Sequence, residues 1–139
     1  MILLDTDHVT ILSYPTSPRA LRLRARLDAV SGATIAVSIV TVEERMRGWL
    51  AAIAKEREVA RQVAGYRELA ALLRWFGTRT VAPFDQAAAE RFELIRHVRI
   101  GTMDKKIAAI ALATGALLLT ANRRDFALID GLQFDNWCD

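Results

Sequence analysis

"MILLDTDHV" (1–9) poses the question on which the fold turns. The run from Met1 to Leu4 is wholly apolar, which is the pattern of a short strand buried on both faces. It stops on two acids, Asp5 and Asp7, held apart by Thr6. One acid in that place caps a helix; two point to a task that needs negative charge at the end of a strand. Asp5 follows the buried run directly, so it is expected at the sheet edge, partly desolvated. An unpaired carboxylate there is costly. No lysine or arginine lies nearby in sequence, and a cation is the simple remedy.

The same pattern recurs along the chain. "ATIAVSIV" (33–40), "TRTVAPF" (78–84) and "ALLLTAN" (116–122) read as further short strands, and "LQFDNW" (132–137) as one at an edge. Helices are expected over 17–30, from 41 to about 76 with a break near 54–58, over 85–98, and over 104–115, where Gly115 ends the helix. Short apolar strands alternating with helices predict a parallel sheet covered on both faces. In such sheets the functional crevice lies beyond the carboxyl ends of the strands.

Acids gather at that edge from distant segments. Asp5 and Asp7 follow the first strand, Glu43 and Glu44 the second, and Asn122 and Asp125 the fourth, while Asp104 opens the helix leading into the fourth. Each has a local explanation too. Asp7 reads as an N-cap, Thr41 with Glu44 fits a capping box, Asp104 suits the helix dipole, and Asp125 can cap a short helix around Phe126. Together, converging carboxylates repel one another unless a divalent ion neutralises them, and oxygen ligands suit Mg2+ or Mn2+. Such an ion hydrolyses phosphodiesters by lowering the pKa of bound water and stabilising charge on phosphate oxygens.

Composition sets the limits. The 139 residues suit one domain spanning 1–139, and 53% hydrophobic with 25% charged residues describes a folded globular chain. No apolar run approaches the roughly 20 residues of a membrane span, and no secretory signal is expected at the N-terminus. The one cysteine, Cys138, forms no internal disulfide, no Cys/His cluster offers a zinc site, and a cytoplasmic location fits. Of 19 basic residues only Lys55, Lys105 and Lys106 are lysines; the arginine forks match phosphate, and the net charge of +3 permits a nucleic-acid partner without requiring one.

These stretches resemble the motifs of PIN-domain nucleases. "LLDTDHV" is similar to a strand ending in D-T-N or D-T-D. "VSIVTVEERMRG" is similar to a strand followed by Thr or Ser, a Glu, and a Gly four residues on, matched by Glu44 and Gly48. "GTMDKKIAAIALATGALLLTANRRDF" resembles an Asp opening an Ile-Ala-Ala helix, then a strand ending in T-x-N or T-x-D, then D-F. "GLQFDNW" resembles the last strand. The matches run in order along nearly the whole chain.

The length is similar to that of VapC toxins. The resemblance implies a PIN-like three-layer α/β fold, with a central, mostly parallel sheet of four to five strands flanked by helices. It implies a Mg2+-dependent endoribonuclease toxin, Mn2+ being a substitute, with an RNA substrate, a cognate antitoxin and a homodimeric assembly. Carried over residue by residue, Asp5, Glu44 and Asp104 are the acidic metal-binding core. Asn122 falls on the fourth position, where many relatives have Asp; Asp125 is its alternative, as Glu43 is to Glu44.

Thr6 and Thr120 are candidates for orienting ligands or binding phosphate, and Arg123 and Arg124 for gripping phosphate. His8 and His97 read as structural or surface residues, Trp49, Trp75 and Phe76 as core or interface, and Cys138 has no role. Two readings compete. One is a non-catalytic RNA-binding or scaffold PIN domain. The other is a haloacid-dehalogenase-like phosphatase, in which D-T-D-H-V makes Asp5 a nucleophile and Asp7 a general acid.

Overall fold

The computed structural model describes residues 1–139. Five strands form the sheet: β1 (Ile2–Leu4), β2 (Ile35–Ser38), β3 (Thr80–Ala82), β4 (Leu117–Leu119) and β5 (Phe134–Asp135). All neighbours are parallel, in the order β3-β2-β1-β4-β5. Seven helices connect them: α1 (Thr6–Leu12), α2 (Pro18–Ala29), α3 (Ile39–Lys55), α4 (Val59–Gly77), α5 (Gln86–Leu94), α6 (Thr102–Thr114) and α7 (Arg123–Phe126). The chain winds outward from β1 to β3, returns, and continues on the other side through β4 to β5. The reversal lies between β1 and β4, where an open parallel sheet leaves a crevice at its carboxyl edge.

The sheet divides the core in two because alternate strand residues face opposite sides. Leu3, Ala36 and Leu118 join Ile107, Ile110 and Phe126 on one face. Ile2, Leu4, Val37 and Leu119 join Val9, Leu23, Leu72 and Phe76 on the other. Trp137 and Cys138 also pack on this second face. Both faces of β1 are thus dry, which explains its unbroken apolar sequence. No helix is long and apolar enough to cross a membrane.

Several boundaries differ from the sequence reading. The segment after Asp5 is a helix, α1, beyond those the sequence pattern predicts; Asp5, not Asp7, is its N-cap, and Asp7 sits inside the first turn. Ile39 and Val40 open α3 rather than ending β2, because the Ser38 hydroxyl accepts the Thr41 amide at 2.9 Å and starts the helix there. The Thr41–Glu44 capping box is therefore not made, and the Glu44 side chain is free for other contacts. Helix α7 is capped by Asn122, not by Asp125. Gly115 ends α6 in the left-handed conformation, φ +68°, as expected of that residue.

Candidate active site

Asp5 stands where β1 turns into α1, and it is 4% exposed. One carboxylate oxygen accepts the Thr6 amide at 2.8 Å; the other accepts the Thr120 hydroxyl at 2.7 Å. Thr120 directly follows β4, so the hydroxyl ties the ends of the two strands together at the reversal. Burial and the neighbouring Asp7 charge, with a smaller contribution from Asp104, push the Asp5 carboxyl up to about 7, against the two hydrogen bonds.

Glu44 and Glu43 are separated by helix phase. Glu44 faces inward and accepts the Thr6 hydroxyl at 3.0 Å, while Glu43 pairs with Arg47 one turn along, at 2.6 Å. Thr6 therefore orients an acid, and it also lies 3.1 Å from the Thr41 hydroxyl. Asp104 lies in the first turn of α6, half-buried, with Oδ2 over Gly101, where an added Cβ would be 3.8 Å away. Burial, then the charges of Glu44, Asp125 and Asp7, raise its pKa above the usual carboxylate range.

At the fourth position the two candidates hold each other. Asn122 Oδ1 accepts the Asp125 amide at 3.4 Å, and Asn122 Nδ2 donates to Asp125 Oδ2 at 3.1 Å. The asparagine oxygen is thereby occupied as a helix cap, whereas the Asp125 charge is felt at Asp104. Asp7 was absent from the sequence-based site. Its Oδ2 accepts the Ala121 amide at 2.9 Å, and its Oδ1 meets His8 Nδ1 at 2.7 Å. Burial opposes its ionisation, but the His8 and Ala121 hydrogen bonds outweigh that and keep its pKa below the ordinary range. The D-x-D spacing was the signal for Asp7; nothing in the sequence around His8 marked its partner.

The charges of Asp7 and Asp104 reach Asp5, and those of Glu44, Asp125 and Asp7 reach Asp104, so five carboxylates from four segments are linked through Asp104. Among the ion pairs none involves Asp5, Glu44, Asp104 or Asp125. No three of the acids form a ready-made ligand cage. A divalent ion held by one or two carboxylates and otherwise by its own waters suits this arrangement. Arg123 is drawn to Asp135 at 3.0 Å, away from the acids. Cys138 is buried, and burial pushes its thiol up to about 11, so it is no nucleophile.

The family model of the PIN domain matches residues 2–132. The chain belongs to the PIN-domain family. This PIN domain is 29% identical over 142 residues to a tRNA(fMet)-specific endonuclease VapC of Shigella flexneri, covering 97% of this chain and 96% of that protein. To the protein of the same description from Salmonella typhimurium it is 27% identical over 136 residues, covering 98% and 97%. Among solved structures, a DNA-bound VapBC from Salmonella typhimurium superposes with a TM-score of 0.74 at 26% identity, over 99% of this chain and 100% of that one.

Family membership sets aside the phosphatase reading, and the contacts agree. The Lys105 ammonium donates to the Arg96 carbonyl at 2.8 Å. Asp7 is held ionised, the wrong state for a general acid.

Proposed function

We propose that this PIN domain, a single unit over 1–139, is a Mg2+-dependent endoribonuclease toxin of the VapC kind, with Mn2+ as a substitute ion. The observation that carries the proposal is the cluster of mutually repelling, cation-free carboxylates at the strand reversal. Asp5, Glu44 and Asp104 hold the ion, one or two of them directly and the rest through its waters, with Asp125 as the fourth acid in preference to Asn122. Bound there, the ion supplies positive charge to the phosphate oxygens and a water of lowered pKa. Thr6 and Thr120 hold Glu44 and Asp5 at fixed angles, so little reorganisation is left for the reacting complex. A non-catalytic scaffold has no use for acids kept unpaired at such cost.

The substrate is a structured RNA, as the descriptions of the VapC relatives suggest. The partner is a small antitoxin, and the toxin is a cytoplasmic homodimer. A groove of about 400 Å3 between α1, α3 and α4, lined by Val9, Leu12, Trp49, Leu72 and Trp75, offers the antitoxin an apolar seat. Its bound segment can extend an arginine to the acids, because a guanidinium replaces the ion electrostatically.

Purified protein should cleave RNA in Mg2+ or Mn2+, stop in excess EDTA and resume when the ion is returned. Asp5→Asn and Asp104→Asn should each abolish growth arrest on expression. Undiminished toxicity in both variants, or cleavage that persists in chelator, rules out a metal nuclease. Light scattering should give a dimer at micromolar concentration, and a monomer there removes that part of the proposal.

A further inference from the structure

The match to the family model ends at residue 132, yet the residues beyond it reach the acid cluster. The link is His8, which is fully buried and has no chemical task in the reaction. Its Nε2 accepts the Trp137 amide at 3.4 Å. The ring proton is therefore on Nδ1, and His8 donates to Asp7 Oδ1 at 2.7 Å. The other Asp7 oxygen accepts the Ala121 amide at 2.9 Å and lies 3.3 Å from the Thr120 hydroxyl, the group that donates to Asp5. A continuous set of contacts runs from the C-terminal segment, through His8 and Asp7, to the turn after β4 and so to Asp5.

The far end of that set is itself anchored. Arg19, Arg22 and Arg26 occupy one face of α2, at spacings of three and four. Arg19 grips Asp139 with two bonds, of 2.9 and 3.0 Å. Arg22 Nε donates to the Cys138 carbonyl at 2.8 Å. The Arg26 guanidinium lies 4.8 Å over the Trp137 ring, whose Nε1 donates to Asp135 at 3.1 Å. Helix α2 thus clamps the segment that His8 reads. An apolar residue at position 8 would fill the space but would leave Asp7 without its closest donor.

We propose that His8 is a positioning residue: it ties Asp7 to the clamped C-terminal segment, and through Asp7 it sets the turn that presents Thr120 to Asp5. The consequence for catalysis rests on the nuclease reading; the structural coupling does not. Three variants separate the links. His8→Leu removes both bonds. His8→Asn keeps an N–H donor near the Nδ1 position and so keeps the bond to Asp7. Arg22→Ala combined with Arg26→Ala loosens the clamp without touching the site.

The first readout is amide hydrogen exchange by NMR on the ion-free protein. His8→Leu should speed exchange at Ala121 at least tenfold while the α4 and α6 amides stay as in the wild type. His8→Asn should restore much of the protection, and the double arginine variant should move Ala121 in the same direction as His8→Leu. The second readout is the Mn2+ concentration giving half-maximal RNA cleavage. It should rise about tenfold in His8→Leu, the usual effect of losing a partner that orients a ligand, and fall back in His8→Asn.

Ala121 exchange unchanged in folded His8→Leu, or no recovery in His8→Asn, overturns the proposal. Should His8→Leu fail to fold, an Ala121 amide indifferent to the double arginine variant overturns it equally. A wild type that cuts no RNA, with Ala121 responding as described, refutes the nuclease reading and supports the coupling.

Discussion

Burial and the Asp7 charge make Asp5 costly to ionise. Its folded pKa, about 7, lies above the ordinary carboxylate value, so the folded chain holds the proton more tightly than the unfolded one. The ion-free fold is therefore favoured most in acid and loses stability as pH climbs from about 4 to about 7, by on the order of 4 kcal/mol. Asp104, also raised, acts in the same direction. Asp7 acts in the opposite one: its lowered pKa adds stability above the ordinary value, lost as pH falls through the folded value. Thermal unfolding in EDTA should show a midpoint that declines between pH 5 and 8, and Asp5→Asn should flatten much of that decline. A wild-type midpoint as flat as the variant's would mean that another group already neutralises Asp5. At the fourth position, Asp125→Asn should slow cleavage at least tenfold at matched folded fraction. Asn122→Ala should mainly remove a cap, costing about 1 kcal/mol. Equal activity of Asp125→Asn and wild type would return the position to Asn122.

Among the elements, α3 does most to shape the site. Its phase is set at the first turn by Ser38, which is fully buried and bonds the Thr41 amide. That phase sends Glu44 to Thr6 and leaves Glu43 to Arg47. Ser38→Ala should cost about 1 kcal/mol in urea unfolding and lower activity further than the folded fraction accounts for. Unchanged activity per folded molecule would show that the sheet, not the cap, orients α3. The outer half of the same helix packs on α4 through Gly65. A Cβ there would meet Ile53 Cγ1 at 2.6 Å, and Ile53 is buried. Gly65→Ala gains about 1 kcal/mol of helix propensity but should lose about 1–3 kcal/mol to overpacking. A stabilised variant would mean that Ile53 has room to turn away.

At the scale of the whole molecule, the strand order concentrates charge. Because β1 and β4 are neighbours while their connections lead in opposite directions, the acids at the ends of β1 and β4 meet those at the starts of α3 and α6. The fold brings together groups that repel, so a bound divalent ion should stabilise the fold by linkage. At a hundredfold excess over its dissociation constant the gain is about 2.7 kcal/mol, roughly 8–13 °C for a chain of this size. Differential scanning at pH 8 should show this rise with Mn2+ and lose it in Asp104→Asn. An equal rise in the variant would place the ion elsewhere on the surface.

What the sequence determined by itself is what depends on neighbours in the chain. The short apolar runs, the alternation with helices and the acids directly after the strands are local patterns, and they led to the parallel sheet, to its carboxyl edge and to Asp5, Glu44 and Asp104 as candidates. The resemblance alone prefers Glu44 to Glu43 and Asn122 to Asp125; only the tertiary structure shows what each of these four side chains bonds. Glu44 was separated from Glu43 by a helix phase begun at Ser38, and Asp125 from Asn122 by an amide already engaged as a cap. His8 was legible only as a structural or surface residue, because its partner Trp137 lies 129 positions away. Hydrogen bonds of that reach depend on how the strands are ordered in space, and no window of neighbouring residues encodes them.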